Sequence, residues 1–188
     1  MSAEAKTPIT TEEHLWFAMS ATFGRELKTK EFLDEKQVEC FVPMRYEIQK
    51  DKKHKTVRQY VSAISNLIFV YTTRKNIQEL KSKIPYLHYL TTQVQGRNIP
   101  ITVPEYQMTQ FITVCNTYND KLVYLTPEEV NLDKGTRIRI VGGSLDGIEG
   151  TFVRVATGRK KRVIVMIEGI VGVMLSEVSD GFIQPLQQ

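Results

Sequence analysis

The chain has two cysteines, three histidines and no long apolar run, and each shortage removes a class of function. Cys40 and Cys115 lie far apart with no CxxC spacing, so they read as reduced, buried small hydrophobes rather than metal ligands or a redox pair. His14, His54 and His88 have no carboxylate, cysteine or second histidine at ligand spacing. There is no GxSxG elbow, no phosphate-binding GxxxxGK loop and no paired acid motif. The expectation is a binding protein with no enzymatic activity, metal or other cofactor. Apolar runs span only a few residues, against the roughly 20 that a bilayer requires. The N-terminal MSAEAKTPITTEEH is acidic and lacks an apolar signal core, which predicts a cytoplasmic chain with no membrane contact.

Net charge is a modest +4, but it is unevenly placed. Residues 15–117 carry 15 Lys/Arg against 9 Asp/Glu, and residues 135–188 carry 7 against 5. The tail 1–14 and the stretch 118–134 each come out at −2. Two basic bodies separated by an acidic connector suggest a polyanionic partner; a solvated Lys-rich face is the plainer alternative.

Residues 1–14 are small, polar and charged, and read as a disordered tail. Order begins with LWFAMSA, a strand broken at Thr22-Phe23-Gly24. A helix follows from about Arg25 to Gln37, with Leu27, Phe32 and Leu33 as its inward side. Val38 to Gln49 reads as one strand carrying Pro43 at an edge or bulge. The basic run 50–58 sits at a hairpin tip before strands at 57–63 and 67–72. A second helix runs from Arg74 to Lys83, and Pro85 closes it. After a strand at 86–91, a third helix has Pro104 in its first turn and Met108, Phe111, Ile112 and Cys115 at i, i+3, i+4 and i+7. These elements predict an α+β sandwich over 15–117, with an antiparallel sheet and three helices. Residues 118–134 form a linker in which Leu122 to Leu125 docks locally. Residues 135–188 hold five short β-rich segments, the pattern of a small closed barrel.

The barrel segment begins with KGTRIRIVGGSLDGIEGTFVRV, two strands around Gly142, Gly143, Gly147 and Gly150. A plain hairpin needs fewer glycines, so this turn is geometrically demanding. The pattern resembles the KOW motif of nucleic-acid and ribosome-associated SH3-like barrels. With it, Trp16-Phe17, Gly24-Arg25-Glu26, Phe41-Val-Pro-Met44 and Asn66-Leu-Ile-Phe-Val70 come in the order and spacing of the NusG family of transcription elongation factors. The last two segments look closer to the specialised RfaH-like factors. The linker and barrel, with Tyr124-Leu125, Gly142-Gly143 and Ile167-Glu168-Gly169, are similar to UpxY-type antiterminators of capsular polysaccharide operons.

The resemblance implies a monomeric antiterminator that binds the clamp helices of elongating RNA polymerase and suppresses pausing and termination. The polymerase-binding positions it implies are Ala18, Ser20, Ile64, Leu67 and Phe69; core is the alternative reading of Ile64 and Phe69, and for Phe69 it stands level. Where the family has Phe-Pro-Gly-Tyr, this chain has Ile64-Ser65-Asn66-Leu67. For the non-template DNA strand or nascent RNA, the implied contacts are Thr22, Phe23, Arg25 and Lys28. Phe23 would stack on a base while the cations hold phosphate. A solvated helix face also accounts for Arg25 and Lys28. Lys50, Lys52, Lys53, Lys55 and Arg58 would touch DNA without reading its sequence, or be plainly solvated. The barrel would recruit a termination factor or a ribosomal protein. Its Val, Ile and Gly density predicts a constitutive barrel. The other reading is a KOW-containing RNA-binding or ribosome-associated protein acting through Arg159 to Arg162.

Overall fold

The computed structural model describes residues 13–50, 55–117, 122–125, 136–154, 161–167, 170–175 and 183–186. Among the described residues it is a mixed α/β protein with three α-helices, and its sheets are built on antiparallel strand pairs. Contacts divide the chain into two units that are discontinuous in sequence. One comprises 1–41 with 66–102, the other 42–65 with 103–188.

The first unit is built on β1 (His14–Ala21) and β5 (Leu67–Thr73), paired from His14↔Thr73 to Ser20↔Leu67. The sheet order is β2 (Cys40–Phe41), β5, β1, β6 (Leu87–Tyr89), and β9 (Thr102–Val103) also pairs with β1. Trp16 to Met19 and Leu67 to Val70 are all buried. Successive strand residues point to opposite faces, so both faces of this strand pair are covered.

Helix α1 (Glu26–Glu35) turns Glu26, Thr29 and Leu33 inward, while the expected Leu27 is exposed. The acidic Glu26 in its first turn complements the helix dipole. Helix α2 (Arg74–Lys83) is capped by the Thr73 hydroxyl, which accepts from the Asn76 amide at 3.2 Å, and buries Ile77 and Leu80. A hairpin that the sequence reading passed over, β7 (Thr91–Val94) and β8 (Arg97–Pro100), turns on Gln95 and Gly96, both with positive φ.

In the second unit the expected strand 38–49 is cut by Pro43. The part after it, β3 (Met44–Lys50), pairs with β4 (Thr56–Ser62) as a two-stranded ribbon. Helix α3 (Glu105–Thr117) buries Met108, Phe111, Val114 and Cys115, with Ile112 half-buried.

A six-stranded sheet follows the order β10 (Leu122–Leu125), β14 (Val171–Leu175), β13 (Lys161–Ile167), β12 (Glu149–Arg154), β11 (Thr136–Ile140), β15 (Ile183–Pro185). The five expected C-terminal strands are there, and the linker segment joins them as a sixth. The described pairings form an open path. Helix α3 packs on β13 and β14, and every residue of β14 is buried.

The glycine-rich turn is as demanding as its composition implied. Gly142, Gly143 and Gly147 have positive φ. At Gly150 a Cβ would lie 2.7 Å from the Ile164 carbonyl oxygen, so β12 approaches β13 too closely for any side chain there.

Candidate nucleic-acid interface

The turn from β1 into α1 is held by two distant segments. The Ala21 amide donates to the Asn66 carbonyl at 2.7 Å, and the Gly24 amide donates to the Asn66 side-chain oxygen at 2.8 Å. The Thr22 amide donates to the Tyr86 carbonyl at 3.0 Å, and the Thr22 hydroxyl also reaches it. Gripped in this way, the chain puts Phe23 at φ 66, in the left-handed region that a bulky side chain adopts at a cost of roughly 1–2 kcal/mol. The ring does not go inside in return; it is 84% exposed. Strained backbone of this kind clusters at functional positions.

Arg25 lies between two rings, its guanidinium carbon 5.5 Å from the Phe23 centroid and 4.7 Å from that of Tyr86. Both rings hold the cation in place at the surface, and Lys28 is exposed one turn along α1. Phe23 and Arg25 are thus brought together next to Thr22, with Lys28 exposed further along the same helix. Tyr86 and Asn66 belong to the same cluster, and sequence reasoning missed both. The departure from the family pattern at Ile64-Ser65-Asn66-Leu67 was the available signal. Asn66 has φ 67, a conformation that asparagine tolerates better than most residues.

Of the hairpin cations, Lys50, Lys55 and Arg58 are exposed, while Lys52 and Lys53 lie outside the described residues. Arg58 sits 3.8 Å from the Tyr46 centroid, and Tyr46 faces Tyr60 across the ribbon with ring centroids 4.8 Å apart. Neither tyrosine was anticipated. The basic cluster 159–162 falls on residues whose side chains are not described.

The positions expected to bind polymerase behave differently. Ala18 and Phe69 are register partners and fully buried, and Leu67, paired with Ser20, is buried as well. Only Ser20 and Ile64 are partly exposed. The expected exposed patch is therefore absent in this conformation, because both faces of β1 and β5 are covered.

The titratable groups inside the fold serve packing. The Tyr124 hydroxyl donates to the Met44 carbonyl at 3.0 Å and also hydrogen-bonds the Cys115 thiol. Burial pushes the Cys115 thiol up to about 12 and raises the Tyr124 phenol as well. Burial likewise pushes Cys40 up to about 11, beside the Lys30–Asp34 ion pair at 2.8 Å. Both cysteines are free and neutral, as thiols with elevated pKa are. Among the described residues no group of His, Cys, Asp and Glu could hold a metal ion. No described helix is long and apolar enough to cross a membrane.

Comparison with known proteins gives two findings. Residues 14–112 match the family described as transcription termination factor nusG. A solved structure described as domain interaction in Thermotoga maritima NusG is 18% identical. It aligns over 87% of this chain and 93% of its own, with a TM-score of 0.46. No curated protein matches.

Proposed function

The chain belongs to the NusG family of transcription factors, and on that premise we propose that it is a specialised antiterminator acting on elongating RNA polymerase. In this reading residues 15–117 bind the polymerase clamp and suppress pausing and termination. Residues 118–134 are the linker, and 135–188 are a KOW domain that recruits a ribosomal protein or termination factor. The RfaH-like and UpxY-type sequence segments favour long capsular polysaccharide operons as the target.

The observation that carries the proposal is the turn Thr22–Arg25. A strained, solvent-facing Phe23 beside a ring-held Arg25 and an exposed Lys28 suits an unstacked base with its phosphates. Such a base is on offer in the displaced strand of a transcription bubble. The clamp contact would use Ser20 and Ile64 first. Engagement of Ala18, Leu67 and Phe69 requires their covered face to open.

The test is retention of the full chain on core RNA polymerase, followed by transcription through a terminator on a template with a long untranslated leader. Retention with increased readthrough, reduced by Phe23→Asn, is expected. No retention and unchanged readthrough would sink the proposal.

A further inference from the structure

Tyr86 stands in a tight turn between two buried anchors. The Leu87 amide donates to the Ile84 carbonyl at 3.0 Å, which closes the turn 84–87 after α2. Pro85 occupies its second position, where the proline ring presets the backbone angle, and Ile84 and Leu87 are both buried. The backbone of Tyr86 is thereby fixed, and its carbonyl accepts from both the amide and the hydroxyl of Thr22. Its ring has a separate contact: the Arg25 guanidinium carbon lies 4.7 Å from the Tyr86 centroid, closer than the 5.5 Å to Phe23. Arg25 is the N-cap of α1 and makes no side-chain capping bond. A cation there is opposed by the helix dipole, and Ser, Thr, Asp or Asn would serve the helix better. Helix stability therefore accounts neither for an arginine at this position nor for the two rings gathered on it.

We propose that Tyr86 is a positioning residue for Arg25, holding the guanidinium at the start of α1 so that its N–H edge meets a phosphate of a single strand. The role rests on the reading of the turn as a single-strand contact, and it names the residue that aims the turn's cation. A guanidinium lying over a ring keeps its N–H groups directed outward in its own plane, where they suit the oxygens of a phosphate. The helix dipole that disfavours the bare cation favours the anion it would bind. Phe23, 84% exposed, is left to the base, so the exposed ring stacks and the half-buried one aims the cation. An arginine already held in place loses less freedom on binding than a free one. The tie between Tyr86 and Thr22 runs through the backbone carbonyl, so the side chain can be exchanged without releasing the turn.

The test uses the full chain without polymerase and reads binding of oligothymidylate by fluorescence anisotropy at fixed salt. Arg25→Gln should weaken binding about tenfold, the loss of one charge-assisted contact. Tyr86→Leu should weaken it about threefold, the factor that an exposed cation–π contact corresponds to, and Tyr86→Phe should bind as the parent does. In the Arg25→Gln background Tyr86→Leu should have no further effect, because no cation is left to position. A prop of the turn or a separate base contact would lower affinity in both backgrounds, and losses that multiply in this way would overturn the proposal. So would a Tyr86→Leu that binds as tightly as the parent. Without nucleic acid, NMR signals of the Arg25 side-chain protons should be shifted upfield by the rings in the parent and in Tyr86→Phe, and much less in Tyr86→Leu. Equal shifts in all three would also overturn it. A parent that binds no strand overturns the reading of the turn and the phosphate contact with it, even where the ring shifts persist, so the two failures are told apart.

Discussion

Asn66 joins the turn before β5 to the turn after β1: its side-chain oxygen accepts from the Gly24 amide at 2.8 Å while its own backbone sits at φ 67. Asn66→Gly keeps the backbone geometry and removes only the acceptor. It should cost about 1 kcal/mol in urea unfolding, the usual net worth of such a bond. Asn66→Ala adds left-handed strain to the same loss and should cost about 1 kcal/mol more. Equal stabilities for the two variants would show that the backbone conformation is not a constraint.

Phe23→Asn tests whether the strain serves binding. Asparagine accepts positive φ at lower cost, and the departing ring is 84% exposed, so little packing is lost. The variant should unfold at an unchanged or higher temperature while single-strand affinity at the turn drops about tenfold. A destabilised variant with unchanged affinity would make Phe23 structural.

That turn also shows how far the sequence could be read. Its position, its aromatic and its cations were legible, because a glycine break after an apolar strand is a local signal. Its ring partner Tyr86 and its anchor Asn66 were not, because each is brought in by strand pairing from far along the chain. The same divide runs through the rest of the fold. Helices α1, α2 and α3 were found by propensity, capping and periodicity, all local properties. The β7–β8 hairpin was missed because its Gln95-Gly96 turn is a weak signal between polar strands. That Ala18, Leu67 and Phe69 lie in strands is legible, but their burial depends on what covers β1 and β5, and no single stretch encodes that.

Phe69 and Ile64 separate core from surface. Phe69 is fully buried opposite Ala18, so Phe69→Asp places an unpaired carboxylate in the interior and removes a large ring. It should abolish cooperative folding, read by circular dichroism and loss of soluble protein. Ile64→Glu, at a partly exposed position, should fold within about 1 kcal/mol of the parent and is the better probe of polymerase retention. A well-folded Phe69→Asp would show that its burial is not part of the core.

Gly150→Ala probes the C-terminal sheet without touching any proposed contact. The added methyl would meet the Ile164 carbonyl oxygen at 2.7 Å and Val163 Cγ1 at 2.9 Å, and the carbonyl is backbone with no flexible end to yield. A loss of roughly 1–3 kcal/mol is expected, the range for overpacking. Gly143→Ala meets no neighbouring atom within 4 Å and has only its positive φ of 73 to pay for, so it should cost about 1 kcal/mol.

Cys115 should give the fold an alkaline limit. Its thiol is pushed from 9.0 up to about 12 by burial, so between those values the unfolded chain releases a proton that the folded chain retains. Because the folded value is the raised one, the thiol's contribution is complete below pH 9 and declines as pH climbs towards 12. The loss is on the order of 1 kcal/mol for each pH unit in that window. Urea unfolding between neutral and strongly alkaline pH should therefore show a steeper decline for the parent than for Cys115→Ala. The variant will be less stable at neutral pH, having lost its packing and its hydrogen bond to Tyr124, so the difference in slope is the readout. At pH 8 the same burial should leave Cys115 unreactive to a thiol reagent in the folded chain and fully reactive in urea. Parallel slopes, or rapid labelling of the folded protein, would place the thiol in contact with solvent.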